Sequence, residues 1–92
     1  MYLHIGKNCI IPHENIIAII DYESVGESEI NKEFFKTAYE EGFIEKLAED
    51  SEIKSYVITE GIDQKKEDEH MMTKIYASNI SAVTLVKRMN LT

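Results

Sequence analysis

The N-terminal stretch Met1–Tyr22, MYLHIGKNCIIPHENIIAIIDY, holds the densest apolar patterning of the 92-residue chain. Within it, Ile16–Ile20 is β-branched except for one alanine and is too short for a typical helix. This run predicts a strand that is buried on both faces at the centre of a sheet. Tyr2–Ile5 predicts an earlier strand, and Cys9–Ile11 predicts its short partner, ended by Pro12.

One longer helix is predicted at about 28–41. Ser28 is a suitable N-cap, because its hydroxyl can accept a hydrogen bond from the first turn, and Gly42 suits the left-handed residue that follows a helix. A connector, Glu23–Glu27, precedes this helix. Four apolar residues at helical spacing predict the face that packs on the sheet: Ile30, Phe34, Phe35 and Ala38.

The C-terminal half predicts two paired strands, Ser55–Thr59 and Lys74–Ala77, joined by a polar, mobile loop at about 61–73. The preceding segment, Phe43–Glu52, is either a short strand or an irregular link. A short last helix is predicted at about 82–89. Ser81 caps this helix, and Ile80 packs on Leu85.

These elements predict an α+β fold in a single domain spanning residues 1–92. A small, mostly antiparallel β-sheet packs with the longer helix and the short C-terminal helix. Because so short a chain buries a modest core, self-association would add to its stability. No apolar run is long enough to span a membrane, and the single cysteine suits a reducing compartment, so we expect a cytoplasmic protein.

Charge is distributed unevenly along the chain. The net charge is −7, which argues against sequence-blind binding of a polyanion. All 17 acidic residues lie between Glu14 and Glu69, and six of the ten basic residues share that span, so its net charge is −11. The ends are basic: Lys7 gives residues 1–13 a charge of +1, and Lys74, Lys87 and Arg88 give residues 70–92 a charge of +3.

The sequence offers no catalytic arrangement. His4, Cys9 and His13 resemble a transition-metal set, but their spacing matches no standard zinc pattern, so we expect no metal and no cofactor. Neither a nucleophile with an adjacent base nor a Gly-rich phosphate loop is evident. We therefore expect a protein that is not an enzyme and has no small-molecule substrate. A metal or thiol enzyme that uses His4 and Cys9 remains a third hypothesis.

Three segments together resemble the RemB (YaaB-type) branch of the RemA/RemB family of bacterial regulators of the biofilm extracellular matrix. They are the opening Met1-Tyr2-Leu3-His4-Ile5-Gly6, the segment Pro12–Asp21 and the ending Ser78–Arg88 with its Ser-x-x-x-Leu-x-x-Arg pattern. Glu40-Glu41-Gly42 falls at the matching helix end. The resemblance implies a small α/β domain that assembles into homo-oligomeric rings and binds double-stranded DNA as a transcriptional regulator.

The chain departs from this family at the positions that the resemblance assigns to DNA contact. Where family members have basic residues, this sequence has Asn15 and the pair Ser51-Glu52. Carboxylates facing phosphates weaken binding. Four basic residues remain as candidates for DNA contact: Lys54, Lys74, Lys87 and Arg88.

Two hypotheses from different classes follow. In the first, the protein is a RemB-like, homo-oligomeric, DNA-binding transcriptional regulator, and the ring repeats a weak basic patch along one DNA molecule. In the second, it is an oligomeric protein-interaction or structural module that has lost direct DNA binding.

Overall fold

The computed structural model describes residues 1–62 and 71–90, and it has the predicted α+β architecture. Two single turns of 3₁₀ helix, His13–Asn15 and Asp50–Glu52, lie between larger elements. The strands and helices, in chain order, are β1 Tyr2–Gly6, β2 Cys9–Pro12, β3 Ile16–Asp21, α1 Tyr22–Val25, α2 Glu29–Glu40, β4 Ile44–Lys46, β5 Ser55–Ile62, β6 Met71–Ser78 and α3 Ala82–Asn90. No helix in the described ranges is long and apolar enough to cross a membrane.

A four-stranded sheet with the order β3-β5-β6-β4 forms the middle layer. Its pairs are antiparallel except for β4 with β6, which is parallel. Since side chains alternate between the two faces of a strand, neighbouring residues of β5 enter two different cores. Val57 packs in the core on the side of the β1–β2 hairpin, which we call the hairpin-side core. Tyr56 packs in the core on the side of α2, which we call the helix-side core.

The hairpin-side core lies beneath the antiparallel β1–β2 hairpin and α3. Its buried residues are Leu3, Ile5, Ile11, Leu47, Val57 and Leu85. Ser78 ties the hairpin to the sheet, because its fully buried hydroxyl donates a hydrogen bond to the Ile5 carbonyl oxygen at 2.6 Å. The hairpin turns through Gly6 and Lys7, both of which have positive φ angles, +131° and +48°.

The helix-side core lies between the sheet and α2. Its buried residues are Phe35, Ala38, Ile53, Tyr56, Ile75 and Ala77. The predicted ends of α2 are confirmed: Ser28 accepts a hydrogen bond from the Asn31 backbone N–H, and Gly42 has a φ of +77°.

The predicted packing face of α2 is partly wrong. Phe35 and Ala38 are buried, but Ile30 is 81% exposed and Phe34 is about half exposed. The rotation of the helix follows from its contacts with Tyr56. The ring centre of Tyr56 lies 4.3 Å from that of Phe35, and its hydroxyl oxygen lies 3.2 Å from the Tyr39 hydroxyl oxygen. Because Phe35 and Tyr39 are four residues apart, they bring one side of the helix inward together and leave Ile30 and Phe34 outside.

The prediction that Ile16–Ile20 forms the central strand is also wrong. These residues form most of β3, which lies at the edge of the four-stranded sheet, while β5 and β6 occupy its centre. The run is apolar on both sides because Ile19 packs in the hairpin-side core and Ile20 packs in the helix-side core. Ile17 lies at a register shift in the pairing with β5 and is 57% exposed.

Several predicted boundaries change. The two strands of the C-terminal half pair as predicted, but Gly61, Ile62 and Met71–Thr73, assigned to the loop, belong to β5 and β6. The rest of that loop, residues 63–70, lies outside the described residues. The connector after Tyr22 begins as one turn of helix, α1.

The remaining elements follow their predictions more closely. The uncertain segment after Gly42 contains a short strand, β4, which pairs with β6. Ser81 caps α3 by accepting a hydrogen bond from the Thr84 backbone N–H at 3.2 Å. Ile80 packs against the hairpin-side core, of which Leu85 is a member.

Candidate functional site

The two ends of the chain meet at one surface. Arg88, in the last turn of α3, donates a hydrogen bond from Nη1 to the His4 carbonyl oxygen of β1 at 3.1 Å. The His4 ring in turn lies on the β1–β2 turn, with Nε2 2.7 Å from the Lys7 carbonyl oxygen. We call the exposed residues Lys7, Lys87 and Arg88 the terminal surface.

The terminal surface is built from segments without acidic residues, since every carboxylate side chain lies between Glu14 and Glu69. The two segments that form it therefore carry a net positive charge in a chain whose net charge is −7. Exposed cations grouped in this way attract phosphate groups through interactions that weaken as salt is added.

The terminal surface contains two of the four predicted DNA-contact residues, Lys87 and Arg88. Lys7 was missed by the prediction, although the basic character of both ends pointed to it. The contact that brings Lys7 near Arg88 joins residues 84 positions apart in sequence, His4 and Arg88, and local patterns carry no information about such a pair.

Lys74, the third predicted residue, is neutralised by a neighbour. Its Nζ lies 2.8 Å from Glu45 Oε1 and 5.2 Å from the centre of the Tyr76 ring. The hydrogen bond with Glu45 raises the pKa of Lys74, so the ammonium group stays charged but is already paired. Lys74 thus offers little net charge to a phosphate.

Lys54, the fourth predicted residue, lies in the link before β5. Its backbone holds two elements together: its N–H donates to the Ser78 carbonyl at 2.8 Å, and its carbonyl accepts from the Tyr22 N–H at 3.0 Å. Lys54 lines a cavity of about 320 Å³ together with the acidic residues Asp21 and Glu23. These carboxylates reduce the attraction of Lys54 for an anion.

The residues considered for metal binding lie in the hairpin and the turn after it. Cys9 is half-buried, and burial raises the pKa of its thiol, which disfavours the reactive thiolate. Across residues 1–62 and 71–90, no group of three His, Cys, Asp or Glu side chains is placed to hold a metal ion.

Comparison with protein families gives a match over almost the whole chain. The family model described as RemA-like, extracellular matrix regulatory protein A-like, matches residues 2–89. The chain belongs to the RemA-like family. A search of curated proteins finds no match. The family match spans the hairpin, the four-stranded sheet and most of α3, so it includes every part of the terminal surface.

The positions at which this RemA-like chain departs from the basic pattern lie elsewhere. Asn15 ends the 3₁₀ turn before β3, and its side chain lies against Gly61. Ser51 and Glu52 belong to the second 3₁₀ turn, where Asp50 also forms a salt bridge with Lys46 at 2.9 Å. This second turn is acidic, so it repels phosphate where the resemblance implied an attraction.

Proposed function

We propose that this RemA-like protein is a RemB-like, non-enzymatic regulator of matrix genes. It acts in the cytoplasm, assembles into a homo-oligomer and binds double-stranded DNA. Family membership over residues 2–89 supports the matrix-regulator role. The observation that supports the DNA-binding part is the terminal surface, where two basic segments of an acidic chain, neither of which contains an acidic side chain, meet and expose three cations.

Assembly is what would make so small a patch effective. Three cations in one subunit supply only a few phosphate contacts, so a single subunit would bind DNA weakly at physiological salt. Repetition of the patch in every subunit of a ring adds contacts along a single duplex, so the affinity of the whole exceeds that of one subunit by orders of magnitude. Lys54 and Lys74 would contribute less than Arg88, because Lys54 lines the same cavity as Asp21 and Glu23, and Lys74 pairs with Glu45.

The test removes two of the three positive charges of the terminal surface without straining the backbone. Lys7→Asn keeps a residue type that tolerates the positive φ of that position, and it is combined with Arg88→Gln. We expect this double variant to bind a long duplex at least about tenfold more weakly at low salt, with a shallower dependence of affinity on salt concentration. Light scattering with and without DNA measures assembly and binding in one sample.

The matched control removes two positive charges from another surface. Lys32→Gln with Lys36→Gln alters exposed residues of α2 and should leave DNA affinity within about twofold of the wild type. Equal losses in both double variants would show a dependence on overall charge alone. Unchanged binding in the Lys7→Asn, Arg88→Gln variant would overturn the role of the terminal surface.

A second candidate function is an oligomeric protein-interaction or structural module without direct DNA binding. The acidic turn at Asp50–Glu52 and the net charge of −7 favour it. A wild-type oligomer that leaves duplex DNA unbound at low salt would select this second function.

A further inference from the structure

The outer side of α2 carries an apolar surface that the fold leaves uncovered. Ile30 is 81% exposed and Phe34, one turn later, is about half exposed. They lead into a cavity of about 320 Å³ between α2 and the β4 side of the sheet, which is lined by Phe34, Thr37, Ala38, Phe43, Thr73 and Ile75. We call this surface, with Ile30, the α2 groove. Contiguous exposed apolar surfaces of this kind mark sites of association.

The α2 groove has an acidic rim. Glu33 is three residues after Ile30, and Glu41 is four residues after Thr37, so both lie on the groove side of the helix. Each lysine of α2 follows a groove residue by two positions, which places Lys32 and Lys36 on the other side. Two grooves facing each other would bring like charges together, so a symmetric contact of groove with groove is disfavoured.

A complementary surface exists on the other side of the same molecule. Val83 is 65% exposed and Val86 is also exposed, and Lys87 lies four residues after Val83 on the same side of α3. No acidic residue occurs in α3. We call Val83, Val86 and Lys87 the α3 ridge.

The ridge and the groove cannot meet within one subunit. The inward residue of α3, Leu85, packs in the hairpin-side core, whereas the inward residues of α2, Phe35 and Ala38, pack in the helix-side core. The two helices are therefore separated by the four-stranded sheet. An aliphatic, basic surface and an apolar, acid-rimmed groove on opposite sides of one chain suit contact between copies.

Building on the self-assembly included in the proposed function, we infer that the α3 ridge of one copy docks in the α2 groove of the next. Val83 and Val86 enter the apolar groove, and Lys87 faces the rim formed by Glu33 and Glu41. In the assembled ring, Lys7 and Arg88 are then the cations of the terminal surface that remain for DNA. The contact is head-to-tail, since each copy offers a different surface to each of its two neighbours. A head-to-tail contact that repeats around a rotation axis forms a ring when the rotation closes.

The test uses one charged substitution on each surface. Ile30→Glu blocks the groove and Val83→Glu blocks the ridge. Both positions are mostly exposed and near helix N-termini, where glutamate is favourable, so the monomer fold should persist. By light scattering, we expect each variant alone to fall from the wild-type oligomer to a monomer of 10.6 kDa.

Mixing the two variants distinguishes this arrangement from a symmetric one. The intact ridge of Ile30→Glu fits the intact groove of Val83→Glu, so an equimolar mixture should form dimers of twice the monomer mass and nothing larger. Lys36→Glu is the matched control, because it adds a carboxylate on the side of α2 away from the groove, and it should retain the wild-type mass.

Each alternative outcome has a distinct meaning. A wild-type protein that is itself monomeric overturns both this contact and the assembly on which it rests. An oligomer that persists in either variant, or a mixture that remains monomeric, overturns the ridge-in-groove contact alone and leaves the proposed self-assembly standing.

Discussion

Gly6 is the residue whose backbone most restricts substitution. Its φ of +131° is one that L side chains rarely adopt, and an added Cβ would lie 3.3 Å from Asn79 Oδ1. We expect Gly6→Ala to lower the free energy of unfolding by about 1–3 kcal/mol, measured by urea denaturation.

Gly26 provides the control for this substitution. Its φ of −71° suits any residue, and an added Cβ would make only an ordinary contact of 3.6 Å with the Glu23 carbonyl oxygen. Gly26→Ala should be neutral or stabilising by up to about 1 kcal/mol, because alanine restricts the unfolded chain. Equal losses in the two variants would contradict the assigned strain at Gly6.

Tyr56 gives the fold a predictable response to alkaline pH. Burial, and then the hydrogen bond with Tyr39, raise the pKa of the Tyr56 hydroxyl above its ordinary value. The unfolded chain ionises near pH 10, as an ordinary tyrosine does, while the folded chain resists ionisation. The stability contributed by this hydroxyl is therefore complete below about pH 10 and is lost as the pH rises further.

Tyr56→Phe separates this effect from general alkaline unfolding. At neutral pH the variant should be less stable by about 1 kcal/mol, because the hydrogen bond between the Tyr56 and Tyr39 hydroxyls is lost. Above about pH 10 the difference between wild type and variant should shrink, as measured by urea denaturation at several pH values. A difference that stays constant across this range would contradict the raised pKa.

At the scale of the element, the rotation of α2 predicts losses of stability of different size for two neighbouring phenylalanines. Phe35 is buried against Tyr56, so Phe35→Ala should cost about 3–5 kcal/mol of the free energy of unfolding. Because Phe34 is about half exposed, Phe34→Ala should lower the free energy of unfolding by less than about 1.5 kcal/mol. Thermal or urea denaturation of the two variants measures the contrast, and comparable losses would mean that the helix is rotated otherwise.

The elements differ in how far the sequence could predict them. Helix ends are set by local chemistry, so Ser28, Gly42 and Ser81 could be identified from their residue types alone. The place of a strand in its sheet depends instead on distant partners. Ile16–Ile20 has the composition of a central strand because its residues pack in both cores, yet it lies at the edge of the sheet, where β5 is its one neighbour.

At the scale of the whole molecule, the sequence predicts which segments are charged but not which of them meet. The basic character of both ends was evident, and Lys87 and Arg88 could be proposed from their place in the last helix. Lys7 joins them only because α3 packs against β1. Likewise, the pairing of Lys74 with Glu45 follows from the parallel contact between β6 and β4, which the sequence left undecided.

The anchoring of the hairpin also has a consequence for how the chain folds as it is synthesised. β1 and β2 are synthesised before the groups that hold β1 in place, which are the Ser78 hydroxyl and the Arg88 guanidinium. A two-stranded hairpin alone is only marginally stable in water. The hairpin therefore gains these anchors only after β6 and α3 have been synthesised.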